Sequence, residues 1–229
     1  MKLAFREFGA GQPLIILHGL FGQSDNWNTL AKQFAEQGFH VFTLDQRNHG
    51  LSPHSDDWNY AVMADDLKEF IDDHSLQKPI LLGHSMGAKT VLFFESSYPG
   101  IAGKIILADM AARVYPPHHA DVFKALHAVD FDKVKTRKEA EAVMNEHIQD
   151  FGTKQFLLKN IYWKDSDANL MAWRFNLDAI TKNYKTIMVS APDFVSSVPA
   201  LIIKGGNSNY IQAADVEDYK KRFPDSTFE

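Results

Sequence analysis

Gly83-His84-Ser85-Met86-Gly87 fits the pattern G-x-S-x-G, which places a serine where it can act as an acyl-transfer nucleophile. The context carries more weight than the pattern. Ile80-Leu81-Leu82 reads as a buried strand leading in, and Met86 to Tyr98 reads as a helix leading out, closed by Pro99-Gly100. A serine pinched between the two sits in strained backbone, and glycines two residues to either side relieve the crowding. Its hydroxyl then stands at a helix N-terminus, where the amides favour a developing anion. The same residues also suit an ordinary strand-to-helix turn, but the paired strand and helix weigh against that.

Acyl transfer needs two amide donors for the tetrahedral oxyanion. Met86, the residue after the serine, supplies the first. His18-Gly19-Leu20-Phe21-Gly22 follows another apolar run, Leu14 to Leu17, and Leu20 N–H is the natural second, with Phe21 lining the pocket. His18 is a conceivable base, but its place before a loop glycine favours a hydrogen-bonded structural role. Asp45-Gln46-Arg47-Asn48-His49-Gly50-Leu51-Ser52-Pro53 suits a rigid turn, in which Arg47 and Asn48 bond nearby backbone and His49 is not catalytic.

These loops need a frame. Lys2 to Phe8 alternates like a half-buried strand. Leu14 to Leu17, His40 to Leu44, Ile80 to Leu82 and Lys104 to Ala108 read as further strands, with helices at 24–38, 60–74 and 86–98 between them. This rhythm predicts a mostly parallel sheet with helices on both faces. It stops from about Tyr115 to Ser190. There Asp121 to Val129, Lys138 to Ile148, Thr153 to Ile161 and Ala168 to Ile180 read as helices, and no buried strand stands out. The sheet resumes at Ala200 to Ile203. The expected organisation is therefore a core over 1–112, an inserted helical cap over 113–192 and a second core segment over 193–229. His84 stands beside the serine. Tyr115, Phe156, Trp163, Trp173 and Phe175 are candidates to wall an acyl pocket, although burying the insertion against the core accounts for them equally well.

The 229 residues suffice for one core, and a net charge of −5 with scattered Lys and Arg gives no basic stripe for nucleic acid. There is no cysteine, hence no disulfide or thiolate metal site. The charged N-terminus does not suit a signal peptide, and no apolar run approaches the ~20 residues of a membrane span. The expectation is a cytoplasmic protein, monomer or homodimer, with no cofactor, metal, membrane or nucleic acid partner.

Together, His18-Gly19-Leu20-Phe21-Gly22, Arg47-Asn48-His49-Gly50-Leu51-Ser52-Pro53-His54 and Gly83-His84-Ser85-Met86-Gly87-Ala88-Lys89 resemble the bacterial YbfF-type esterases and their eukaryotic relatives of the abhydrolase-domain-11 kind. Trp173-Arg174-Phe175-Asn176-Leu177 and Gly205-Gly206-Asn207-Ser208 continue the resemblance, which covers essentially the whole chain. Ala88 departs from it, where the family usually has a third glycine. The resemblance implies an α/β-hydrolase fold and a serine esterase acting on small to medium acyl esters or thioesters, acyl-CoA included.

The acid and the base are less obvious. In most such folds the acid follows the strand after the cap, but Lys204 to Asn209 holds no carboxylate. The alternatives are Asp109, at the end of the strand Lys104 to Ala108, and Asp215, on a helix start. The resemblance implies Asp109. The chain order Ser, Asp, His then places a histidine after the last strand. The last histidine is His147, and Ser226 to Glu229 looks like the start of a final strand, so the sequence reads as stopping before its general base. His118 and His119 are conceivable substitutes but read as solvated residues beside Pro116-Pro117. A perhydrolase or C–C hydrolase using the same triad is an alternative reading, as is a non-catalytic ligand-binding module.

Overall fold

The two wholly apolar runs around Ile15 and Leu81 lie at the centre of a seven-stranded sheet. The computed structural model describes residues 1–229. Its first strands are β1 (Phe5–Phe8), β2 (Gln12–Leu17), β3 (Phe39–Leu44), β4 (Ile80–His84) and β5 (Lys104–Ala108). Later in the chain come β8 (Ala200–Ile203) and β9 (Ser226–Phe228). Spatial order is β1-β3-β2-β4-β5-β8-β9. All neighbours are parallel except β1, which pairs antiparallel with β3 at the edge. Ile15, Ile16 and Leu17 are buried because helices cover both faces of β2, which is why the run does not alternate.

Helix α1 (Asn28–Glu36) packs on one face, over Leu14, Ile16 and Val41. A short 3₁₀ turn at Ser24–Trp27 precedes it, so the helix expected from 24 begins at Asn28 instead, and the Ser24 N–H donates to Asp45 Oδ1 at 2.6 Å. Helices α2 (Tyr60–Asp73) and α3 (Met86–Ser97) cover the other face, with Leu67, Phe70, Val91 and Phe94 in the larger core. Asn59 caps α2 by accepting the Val62 N–H at 3.1 Å. Helix α8 (Ala213–Arg222) packs into the same core through Tyr219.

Register positions the site. Leu17 lies opposite Leu44 and Gly83, and His84 opposite Ala108. The C-terminal ends of β2, β3, β4 and β5 therefore finish at one level, and their following loops meet there. The chain leaves β2 toward β3 and then crosses to β4 on the other side. That reversal opens the crevice in which such sheets hold ligands.

Between β5 and β8 the chain makes an insertion. It contains α4 (Ala120–Ala128), α5 (Arg137–Met144), α6 (Phe151–Leu158), a hairpin of β6 (Ile161–Asp165) and β7 (Leu170–Trp173), and α7 (Leu177–Lys182). The first three helices lie where their periodicity predicts. The helix expected over 168–180 is instead strand β7 followed by the short α7. Met171 and Trp173 are buried while Leu170 and Ala172 are only partly so, a period of two. Asp165-Ser166-Asp167-Ala168-Asn169 makes the turn, with Asn169 at φ 50° and Asp165 Oδ1 accepting the Ala168 N–H at 2.9 Å. The insertion has its own core, which extends into the main body through Phe21, Trp58, Tyr60 and Met86. No helix is long and apolar enough to cross a membrane.

Candidate active site

Ser85 sits in the turn between β4 and α3 at φ 52°, ψ −115°, a conformation that non-glycine residues seldom adopt. The fold holds it there. Its N–H bonds Ala108 O at 3.0 Å, and its carbonyl accepts from Ala88 and Lys89 at 3.0 and 3.2 Å. The flanking glycines are required by close approach. A Cβ on Gly83 would lie 2.3 Å from Gly87 O, and one on Gly87 would lie 2.3 Å from Leu17 O.

Two backbone amides belong to residues that line a cavity with Ser85, those of Leu20 and Met86. Met86 opens α3, so its N–H has no carbonyl one turn earlier in the helix to bond. In the loop after β2, Phe21 N–H is taken by His49 Nε2 at 3.2 Å and Gly22 N–H by Gly19 O at 2.9 Å, whereas Leu20 N–H takes no acceptor. Phe21, at φ 60°, turns the loop.

Two buried histidines fix that loop. His18 Nδ1–H donates to Gly19 O at 2.8 Å, and its Nε2 accepts from Gln46 N–H at 3.0 Å. His49 Nδ1–H donates to Arg47 O at 2.9 Å, which leaves Nε2 as the acceptor for Phe21. Burial pushes both rings down, His18 to about 4 and His49 to about 3, with the neighbouring imidazole adding to the shift at His49. Both are neutral at pH 7 with both nitrogens engaged, which is a structural role. Arg47 pairs with Asp66 through Nε (2.6 Å) and Nη2 (2.8 Å), and Asn48 bonds Ser55 on both sides of its amide.

Asp109 follows β5 at φ 52°, half-buried, with its N–H on Ile203 O at 2.8 Å. Its Oδ1 accepts the Gly205 N–H at 3.1 Å. Asp215 lies elsewhere. It accepts the Gln212 N–H at the start of α8 and pairs with Arg113 at 3.2 Å, so it is committed to capping and an ion pair.

Three cavities open on Ser85. One of about 420 Å³ brings it together with Leu20, Phe21, His84, Asp109 and Phe156. A second, of about 340 Å³, lies toward Trp27 and Leu30 and again touches His84 and Phe156. The third is only about 20 Å³, between Met86, Tyr60 and Tyr115. The candidates Ser85, Asp109, Leu20, Met86, Phe21, His84, Tyr115 and Phe156 thus converge. Trp173 does not. It stacks on Phe175 at 5.3 Å and donates to Leu126 O at 3.3 Å, inside the insertion's own core. His119, solvated by the expectation from sequence, is partly buried and touches all three cavities. Its Nδ1 lies 2.5 Å from Tyr184 Oη, and burial, with His118 adjacent, pushes it down to about 4. It lies in an irregular stretch between β5 and α4, where periodicity gives no orientation.

The sequence profile of the alpha/beta hydrolase fold matches residues 12–229. The esterase YbfF of Escherichia coli is 34% identical over 230 residues, covering 98% of this chain and 87% of that one. The sn-1-specific diacylglycerol lipase ABHD11 of Mus musculus is 34% identical over 219 residues, 92% of this chain and 70% of that one. A solved marine microorganism esterase superposes with a TM-score of 0.95 at 40% identity, over 100% of this chain and 90% of that one. The chain belongs to the α/β-hydrolase fold family. Within it, the chain is a serine esterase-type hydrolase.

Proposed function

We propose that Ser85 is the nucleophile of an esterase that cleaves small to medium acyl esters or thioesters through an acyl-enzyme. The observation that carries this is the strained turn at Ser85, in one cavity with Leu20, Asp109 and an aromatic wall from the insertion. The Ser85 hydroxyl attacks the acyl carbonyl, and the Leu20 and Met86 amides receive the oxyanion. A histidine oriented by Asp109 takes the hydroxyl proton, delivers it to the leaving group, and then activates water to release the acid. His18 and His49 are spent on the loop, and His119 is held well below neutral pH. We therefore assign the base to none of these three rings. The insertion serves as a cap that bounds the acyl site, so soluble short esters should be preferred to emulsified lipid.

The test is labelling with a small fluorophosphonate, followed by turnover of p-nitrophenyl esters by the wild type and by Ser85→Ala. A mass increase confined to Ser85, with turnover that Ser85→Ala abolishes, supports the reading. Labelling elsewhere, or turnover kept by Ser85→Ala, contradicts the nucleophile.

A further inference from the structure

The smallest of the three cavities has walls of a particular origin. Met110 and Tyr115 come from the stretch where the chain enters the insertion, and Ile187 and Met188 from where it returns. Met86 and Lys89, on the first turn of α3, line it beside Ser85, and Leu20, Tyr60, Tyr210 and the histidines at 118–119 supply the rest. Met86, Lys89, Met110, Tyr115 and Ile187 are buried. The volume of about 20 Å³ is little more than one water needs. After the first half-reaction of an esterase, the acyl group stays on the serine while the alcohol or thiol departs. The group that departs needs the open cavities, so the small buried one is left for the acyl chain.

Lys89 is 1% exposed, which is unusual for a lysine. Its ammonium donates to Arg113 O at 2.7 Å and to Val189 O, and its remaining face lies over the Tyr115 ring, 5.0 Å from the centroid. None of these partners is a carboxylate. Arg113 and Val189 belong to the two opposite strands of chain that connect the insertion to the core. Those strands are already laced by Tyr115 N–H to Met188 O at 3.0 Å and by Ala191 N–H to Ala112 O at 2.7 Å. One side chain, one helical turn from the nucleophile, thus ties both junctions to α3. Burying an ammonium without a counter-ion is costly. Here burial, with Arg113 near, lowers it to about 8, so it remains largely charged at neutral pH.

We propose that Lys89 is a specificity-determining positioning residue: by holding the two junctions of the insertion against α3, it keeps the acyl pocket small and favours the shortest acyl group, acetyl, over longer chains. This rests on Ser85 being the nucleophile. A longer acyl chain would have to part Tyr115 from Ile187 and Met188, and the Lys89 bonds to Arg113 O and Val189 O oppose that movement.

The experiment compares acylation rates for p-nitrophenyl acetate, butyrate and octanoate in the wild type and in Lys89→Met, which keeps the side-chain bulk without the donors. The expected result is an octanoate-to-acetate ratio that rises at least tenfold in the variant. If Lys89→Met folds poorly, Lys89→Gln retains an amide donor and is read on the same esters, with a smaller rise expected. A folded variant with an unchanged ratio, or with a uniform fall across all three esters, overturns the proposal. Intact mass after treatment with a small fluorophosphonate separates the two failures. If Ser85 is labelled and the ratio does not move, only the role of Lys89 falls. If Ser85 is never labelled, the nucleophile assignment falls and the pocket argument with it.

Discussion

The loops at the ends of β2 and β3 and the insertion both face Ser85, but they are built on opposite principles. The loops are pinned by polar bonds: His18 and His49 engage both ring nitrogens and Gln46 both ends of its amide, while Leu20 N–H takes no acceptor. The insertion meets the cavities largely with apolar and aromatic surface, and its polar ties to the core, among them Asn160 to Phe21 O, Asn176 to Asn48, Asn183 to Asp56 O, Thr186 to Trp58 O and Lys89 to its junctions, hold the wall as a whole. Groups aimed at a developing charge gain from being fixed in advance. Walls that only select a chain length can be set by packing. The contrast predicts that damage to the loops lowers turnover, whereas damage to the insertion changes which substrates fit.

The largest effect belongs to the nucleophile. Ser85→Ala should remove ester hydrolysis by on the order of 10⁴ to 10⁶ in kcat with an unchanged circular dichroism spectrum. Retention of a tenth of the activity would end the assignment. Asp109→Asn should lower kcat by about 10⁴, because the imidazole it orients then adopts the wrong tautomer. Asp215→Asn should leave kcat nearly intact and lower the melting temperature, since it removes a cap and an ion pair of α8. The reverse ranking would place the acid on the other strand.

The loop side of the comparison is tested at His49. His49→Phe keeps a ring but removes the acceptor of the Phe21 N–H, leaving a buried donor unpaired at a cost of about 1–3 kcal/mol. If the loop positions Leu20 N–H, kcat should fall about 10- to 100-fold with KM little changed, as for loss of an oxyanion contact. A pure stability loss would reduce His49 to scaffolding. The two histidines also give a pH signature. Both native values, about 4 and about 3, lie below the unfolded value near 6.5. The unfolded state therefore binds more protons between those limits. Stability is fully present above about pH 6.5 and is lost as pH falls toward 4. Denaturant midpoints measured from pH 7.5 to 4.5 should fall, and His49→Phe should flatten the slope.

The same division governs what the sequence discloses. The turn around Ser85 is encoded within a few residues, a strand, two glycines and a helix start, and the structure places it as read. Asp109 is legible only as one of two carboxylates at the ends of elements, with the resemblance deciding between them, because its partner Gly205 is distant in the chain. The hairpin of β6 and β7 was missed because Leu170 to Ile180 carries enough apolar residues to imitate a helix, while the turn residues at 165–169 that break it are exposed and short. Lys89 and His119 could not be placed, since what defines each is contact with chain segments far away in sequence. Trp173 suits a pocket wall by its side chain alone. Aromatic bulk does not say which way a residue faces.

The smallest effects on catalysis come from the insertion, and there two aromatics can be set against each other. Phe156, on α6, is partly buried and lies on both of the larger cavities that reach Ser85. Trp173 is buried against Phe131 and Phe175 and reaches none of the three. Phe156→Ala removes apolar contact with the part of the substrate held before and after attack alike. Such uniform binding appears in KM and not in kcat. Loss of most of a partly buried ring contact is worth about 1–2 kcal/mol, so KM for an aryl ester should rise roughly 5- to 30-fold at constant kcat. Trp173→Ala instead leaves a hole in the core of the insertion, at a cost of about 3–5 kcal/mol. Its melting temperature should fall by several degrees while KM, measured well below the new transition, moves less than that of Phe156→Ala. If Trp173→Ala raises KM more than Phe156→Ala does, the insertion's interior and its substrate face are not separable. The division between fixed loops and a packed wall would then fail on the insertion side.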